Sequence, residues 1–323
     1  MDRRVFLKGL GGVCGSTSFL TRRLDAFHAT PSPLSRFKLG AISDGFSQDF
    51  DEALKVMKGY GLSWVEIRGI YGVYNTQASP AQMQRVKDSL ARYGFRVSVI
   101  DSAFYKCALP GTEPVAGSKD RGAYAKQMDL LKRACDRAHE VGADKIRIFT
   151  FSRVAEPLKL ADRIAEELSK ATAVADSARI RLVIENEESC NAATGHELGA
   201  ILAKAPAANL GANWDVGNGY LLGEVSFPDG YNALDKKRIW HMHLKGIACD
   251  KNLKSCKETF AGEGQIDLKG QLRQLLRDGY QETMSLECEY TAPGMSHLET
   301  TKRSLEGLLR VMTAAVAEDS SNS

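Results

Sequence analysis

The stretch RIWHMHLKG, residues 238–246, places two of the chain's six histidines one residue apart in an apolar, β-prone run. Side chains alternate across a strand, so His241, His243 and Lys245 share one face and Trp240, Met242 and Leu244 the other. Such a face looks either into water or into a site that uses nitrogen ligands. Polar residues also end the neighbouring apolar runs: Glu185 and Asn186 in LVIEN, Asp215 in GANWD, and Glu287 in MSLECEY. An unpaired charge among apolar neighbours is costly, and three carboxylates brought together repel one another. A divalent cation removes both problems. Three carboxylates and an imidazole form a hard, oxygen-rich set, suited first to Mn2+, with Mg2+, Co2+ or Zn2+ as alternatives, rather than to copper. Four protein ligands leave an octahedral ion two open positions, enough to chelate a carbonyl and its neighbouring hydroxyl.

The elements that must position these residues alternate along the chain. From Phe37, FKLGAIS reads as a strand and DFDEALKVMKGYG as an amphipathic helix stopped by Gly61. SWVEIRG is a second strand, and SPAQMQRVKDSLARYG a helix with Ser79 as N-cap, Pro80 in the first turn and Gly94 at its end. Six further strands are read in FRVSVIDS, KIRIFTF, IRLVIENEE, LGANWDVGN, RIWHMHLKG and ETMSLECEY, nearly all separated by helical segments. Parallel neighbours need such crossovers, and eight units suit a closed (β/α)8 barrel better than an open sheet. No GxGxxG follows the first strand to favour a nucleotide-binding open sheet. In such a barrel, chemistry gathers at the C-terminal ends of the strands, where these polar residues sit. From Glu185 to Asp215 is 30 residues and from Asp215 to His243 is 28, one βα repeat each; the 44 to Glu287 make one enlarged repeat.

Of the 323 residues, 43% are hydrophobic and 26% charged, ordinary globular composition. Residues 1–36 hold six basic side chains against two acidic ones, leaving a body with 37 basic and 38 acidic residues. That body lacks the basic excess of a protein that grips nucleic acid. DRRVFLKG, with Arg3, Arg4, Phe6, Leu7 and Lys8, resembles a twin-arginine export signal, so residues 1–36 are read as signal and linker and the destination as the periplasm. The apolar stretch behind it is too short and too rich in Gly and Ser to span a bilayer. Residues 37–323 are then one catalytic barrel. Cys249 and Cys256 bracket a polar loop and are expected to bridge if the compartment is oxidising, or to remain free thiols otherwise.

VIEN, NWDVGN, HMHLKG and SLECEY, with GEGQIDLKGQLRQLLRDGY ahead of the last, resemble the xylose isomerase-like TIM barrels of the sugar phosphate isomerase/epimerase group. The resemblance covers about Phe37 to Ala315. It implies one divalent metal held by Glu185, Asp215, His243 and Glu287, with Glu185 and Glu287 also serving as acid and base. The ion would stabilise the enediolate formed when the proton next to a carbonyl leaves. His241 is expected beneath the metal or on the substrate floor, and Lys245 at the mouth against a substrate oxygen or a carboxylate. Gly246, Asn218 and Asn191 depart from relatives that carry an Asp, a His and a Glu there, which tells against a simple ketohexose epimerase. A dehydratase or lyase of a keto-sugar or cyclitol is the alternative, since β-elimination begins with the same proton abstraction. Export argues for a non-phosphorylated sugar or sugar derivative. Barrels of this group often associate, so a homo-oligomer fits as well.

Arg68, Trp214, Asn186 and Asn218 are further substrate-contact candidates, while Glu66 shares parity with Arg68 and reads as structural. An abasic-site endonuclease of this fold would need additional histidines on strands two, three and six, and VEIRG, VSVIDS and NWDVGN contain none. A non-catalytic sugar-binding protein need not keep all four metal-ligand types.

Overall fold

A computed structural model describes residues 32–118, 121–253 and 255–320, so the twin-arginine-type motif lies outside the described residues. Part of the expected linker is ordered: Pro33–Arg36 forms one helical turn, favoured by the preset φ of its leading proline, and Arg36 pairs with Asp319 at 3.2 Å.

Eight strands follow: β1 (Lys38–Ala41), β2 (Trp64–Ile67), β3 (Arg96–Asp101), β4 (Lys145–Ile148), β5 (Arg181–Glu185), β6 (Leu210–Asp215), β7 (Ile239–Leu244) and β8 (Thr283–Leu286). All pairings are parallel, in the order β1-β8-β7-β6-β5-β4-β3-β2. A single parallel bridge between Ile42 and Glu66 brings β2 back to β1, so the sheet is a nearly closed barrel. Around it lie α1 (Phe50–Gly59), α2 (Pro80–Tyr93), α3 (Gln127–Val141), α4 (Ala161–Ser177), α5 (Gly195–Lys204), α6 (Leu268–Arg277) and α7 (His297–Ser320).

Local chemistry fixes the helix ends. Ser79 and Gln82 cap one another reciprocally ahead of Pro80, and α2 stops at Gly94, whose φ of 69° suits a residue without a side chain. The apolar core lies between barrel and helices, where Ile67, Ile184, Met242 and Leu286 from the strands join buried Leu54, Leu168, Leu198 and Leu272 from the helices. Each such side chain contributes about 1.5–3 kcal/mol relative to exposure. Near the C-terminal rim the lumen is filled instead by buried ionisable groups, a departure from the usual branched apolar filling.

Three features add to the sequence reading. Between β6 and β7, where no helix is read, the chain forms short turns of helix at Asn218–Leu222, Ser226–Gly230 and Lys236–Arg238. A two-stranded hairpin, Gly69–Ile70 with Val73–Tyr74, follows β2. The CDKNLKSC loop is the tip of another, Gly246–Cys249 with Cys256–Thr259, and Cys249 and Cys256 are disulfide-bonded across it.

Candidate metal centre

Strand register brings the centre together. A register shift at Ala212/Asn213 sets Asn213 beside His241 and Asp215 beside His243, while β8 sets Ser285 beside His243. Glu287, just past β8, is held by its backbone N–H donating to Leu244 O at 3.0 Å. One oxygen from each of Glu185, Asp215 and Glu287 and one ring nitrogen of His243 lie within 4.8 Å of one another. Nδ1 of His243 is 3.1 Å from Glu185 Oε1, 3.1 Å from Glu287 Oε2 and 3.7 Å from Asp215 Oδ2. All four residues are buried.

Each carboxylate divides its two oxygens between the protein and the centre. Arg147 Nη1 donates to Glu185 Oε2, leaving Oε1 inward. The backbone N–H groups of Gly217 and Asn218 donate to Asp215 Oδ1 at 2.7 and 2.9 Å. Arg68 Nη1 donates to Glu287 Oε1 at 2.9 Å. The inward oxygens Asp215 Oδ2 and Glu287 Oε2 are buried and meet no donor in hydrogen-bonding geometry. Lys245 Nζ approaches them at 2.9 and 2.8 Å and supplies charge. Gly217 leaves room for that lysine, since a Cβ there would stand 2.6 Å from Lys245 Cδ. Buried inward oxygens that make no aligned hydrogen bond, together with this donor set, fit a hard dication.

The electrostatics follow from burial opposed by neighbours. Burial resists ionisation of Glu185, but Arg147 and His243 outweigh it and bring the carboxyl down to about 2. Burial likewise opposes Glu287, where Lys245 and His243 prevail and hold it well below the carboxylate range. Asp215 goes the other way: burial pushes it up against the pull of Lys245. Burial disfavours an imidazolium at His243, yet Glu66, Glu287 and Glu185 carry it well above ordinary histidine.

Beneath the centre, Glu66 receives both histidines, with Oε2 2.8 Å from His241 Nε2 and Oε1 3.0 Å from His243 Nε2. His241 Nδ1 meets Thr283 Oγ1 at 2.7 Å, so this ring belongs to the layer below and not to the substrate floor. Above the centre opens a polar cavity of about 290 Å3, lined by Asp44, Arg68, Tyr74, Lys106, Arg121, Arg147, Phe149, Glu187, Glu287 and Glu289 among others. Glu287 and Arg68 thus face the cavity; Glu185 is not among its lining residues.

Three residues read as substrate contacts are placed elsewhere. Trp214 is fully buried on the outer side of β6 and donates from Nε1 to Gln271 at 3.3 Å, as expected of a residue one step out of phase with Asp215. Asn186 joins two strand ends, accepting from Asp215 N at 2.8 Å and donating to Asp215 O at 2.9 Å. Asn218 donates from its amide to Asn186 O at 2.7 Å. Lys245 pairs with carboxylates, one of its two expected roles. Arg147, Asn213 and Glu187 were not singled out from the sequence. Arg147 links Glu185 to Asp101 at 3.0 Å, Glu187 pairs with Lys106 at 2.8 Å, and Asn213 touches His243 Nε2 at 3.0 Å. Asn213 shares strand parity with Asp215, and Glu187 continues the parity of Glu185, the signal that would have found them; no named residue on its strand pointed to Arg147.

Several solved structures share this fold. A 3-keto-D-glucoside 4-epimerase from E. coli has 15% identity over 85% of this chain and 99% of its own, with a TM-score of 0.62. A probable 3-DHS dehydratase from Bacillus anthracis has 12% identity, with coverages of 87% and 98% and a TM-score of 0.61. A xylose isomerase-like TIM barrel protein from Mycobacterium smegmatis, solved with magnesium, has 17% identity, with coverages of 88% and 99% and a TM-score of 0.61. No protein of curated function matches the sequence. The xylose isomerase-like TIM barrel model matches residues 54–311, and the chain belongs to that family.

Proposed function

We propose that this protein is a metal-dependent isomerase or epimerase that removes the proton next to a carbonyl of a non-phosphorylated sugar or sugar derivative. The observation that carries this reading is the convergence of Glu185, Asp215, His243 and Glu287, all buried, with one oxygen of each carboxylate turned toward His243 Nδ1. These four side chains would hold one divalent ion, Mn2+ first. When bound, it supplies a Lewis acid for a carbonyl and its adjacent hydroxyl. Glu287 borders the cavity and is ionised at neutral pH, so it acts as the base that takes the proton. Glu185 is the second acid–base group in this reading, its other oxygen fixed by Arg147. Arg68 orients Glu287 through Oε1 while being held by both oxygens of Asp44. The polar groups lining the cavity offer hydrogen-bonding partners to a polyhydroxylated substrate.

Elimination is the second reading, because the fold neighbours include a probable dehydratase beside an epimerase and both reactions start with one proton abstraction. The N-terminal motif further supports export to the periplasm, a compartment in which the Cys249–Cys256 bridge is stable. Among the described residues, no helix is long and apolar enough to cross a membrane.

The test is a panel of carbonyl sugars incubated with the Mn2+-loaded full chain in D2O and followed by NMR. Deuterium entering next to the carbonyl, abolished by chelator, is the expected result. An isomer with the carbon skeleton and all oxygens intact marks isomerisation, and an unsaturated product marks elimination. Chelator-insensitive behaviour of a protein that binds no metal would overturn the reading.

A further inference from the structure

We infer that Glu66 is the positioning residue of the metal centre: by accepting both Nε2 protons of His241 and His243, it turns Nδ1 of His243, the atom that would ligate the ion, toward the three carboxylates. The inference rests on the proposed metal site and extends it to a residue on the opposite side of the barrel.

Three observations carry it. Glu66 is fully buried, and its two oxygens are divided between two rings, 2.8 Å from His241 Nε2 and 3.0 Å from His243 Nε2. A carboxylate is acceptor-only when ionised, so both imidazoles must present N–H at Nε2. The network then closes without conflict, because Thr283 Oγ1, 2.7 Å from His241 Nδ1, has a hydroxyl proton to donate to that nitrogen. For His243 the consequence falls on the other nitrogen. With Nε2 committed to Glu66, Nδ1 is the atom that faces Glu185 and Glu287 at 3.1 Å each.

Asn213 accommodates the same arrangement once its amide is turned. Its Nδ2 stands 3.0 Å from His243 Nε2, while its Oδ1 is buried without a partner. Two donors would then oppose one another. A half-turn of the amide removes the conflict and gives Oδ1 the same Nε2–H that Glu66 accepts. Both neighbours of Nε2 are thereby acceptors. Each oxygen of Glu66 thus faces one imidazole, and the group serves to aim His243. Carboxylates that orient a ligating histidine in this way typically contribute 10- to 100-fold in metal affinity.

The test compares the metal-stripped full chain with its Glu66→Gln variant. Glutamine keeps the shape but offers one acceptor to two Nε2–H donors, so Mn2+ affinity by calorimetry falls about 10- to 100-fold. Nitrogen-15 NMR of the unaltered protein loaded with Zn2+ gives a readout that does not depend on any variant folding. There, His243 shows a protonated Nε2 and a metal-shifted Nδ1. Zinc on Nε2 with a protonated Nδ1 would overturn the assignment. So would a folded Glu66→Gln protein whose Mn2+ affinity stays within twofold of the parent. If the parent itself binds no metal, the metal reading falls and takes this inference with it, whereas equal binding by parent and variant removes Glu66 alone.

Discussion

Nζ of Lys245 stands 2.8 Å from Oε2 of Glu287, the oxygen that also faces His243 Nδ1 at 3.1 Å. The same ammonium reaches Asp215 Oδ2 at 2.9 Å, so one buried cation compensates two of the three inward carboxylates, beside His243 and, for Glu287, Arg68. Removing one partner of such a buried set leaves the others uncompensated. Lys245→Met should therefore destabilise the metal-free protein by about 3–5 kcal/mol, and added Mn2+ should restore more stability to it than to the parent. Thermal melts with and without metal check both parts.

Glu287 should matter more for turnover than for holding metal. It borders the cavity, and its outer oxygen is retained by Arg68. Glu287→Gln is expected to lower kcat about 10²- to 10⁴-fold, with metal still bound at saturating concentration. Unchanged turnover at full metal occupancy removes Glu287 from the acid–base role. The same pair of measurements on Glu185→Gln separates its two proposed roles.

Metal affinity should rise with pH. In the metal-free protein burial disfavours charge on His243, but Glu66, Glu287 and Glu185 keep the ring protonated well above the ordinary histidine range. A cation must replace the Nδ1 proton, and the raised value means that proton is still present at neutral pH. Asp215, pushed up by burial against the pull of Lys245, shifts in the same direction. Calorimetry between about pH 6 and pH 8 should show affinity climbing by about tenfold per pH unit, with proton release to the buffer. A flat profile would mean that no proton is displaced.

Arg147 joins Glu185 to Asp101 from inside the barrel, and all three are buried. Arg147→Met strands both carboxyls, with an expected loss of about 3–5 kcal/mol by chemical denaturation. Arg147→Lys should recover only part of it, because one ammonium cannot reproduce the two-sided contact of a guanidinium.

The strand–helix alternation was legible because period-two and period-3.6 patterns are local. The strand-end position of Glu185, Asp215, His243 and Glu287 was legible for the same reason. What escaped were relationships set by register between strands far apart in sequence. Glu66 and His243 lie 177 residues apart, and only barrel closure reveals that they touch. Nothing local in KIRIF marks Arg147 as a residue of the lumen. Trp214 and the two asparagines were placed near substrate because they adjoin ligands in sequence. Yet Trp214 falls on the opposite face, and Asn186 and Asn218 spend their amides on backbone groups. The hairpin carrying Cys249 and Cys256 has no strong local signal, since its polar tip resembles any surface loop.

The most direct measurement is anomalous diffraction from crystals of the full chain grown with Mn2+. A single strong peak bounded by Glu185 Oε1, Asp215 Oδ2, His243 Nδ1 and Glu287 Oε2 is the predicted result. Full occupancy of manganese in solution with no peak among these atoms, or a peak that excludes His243, would contradict the account.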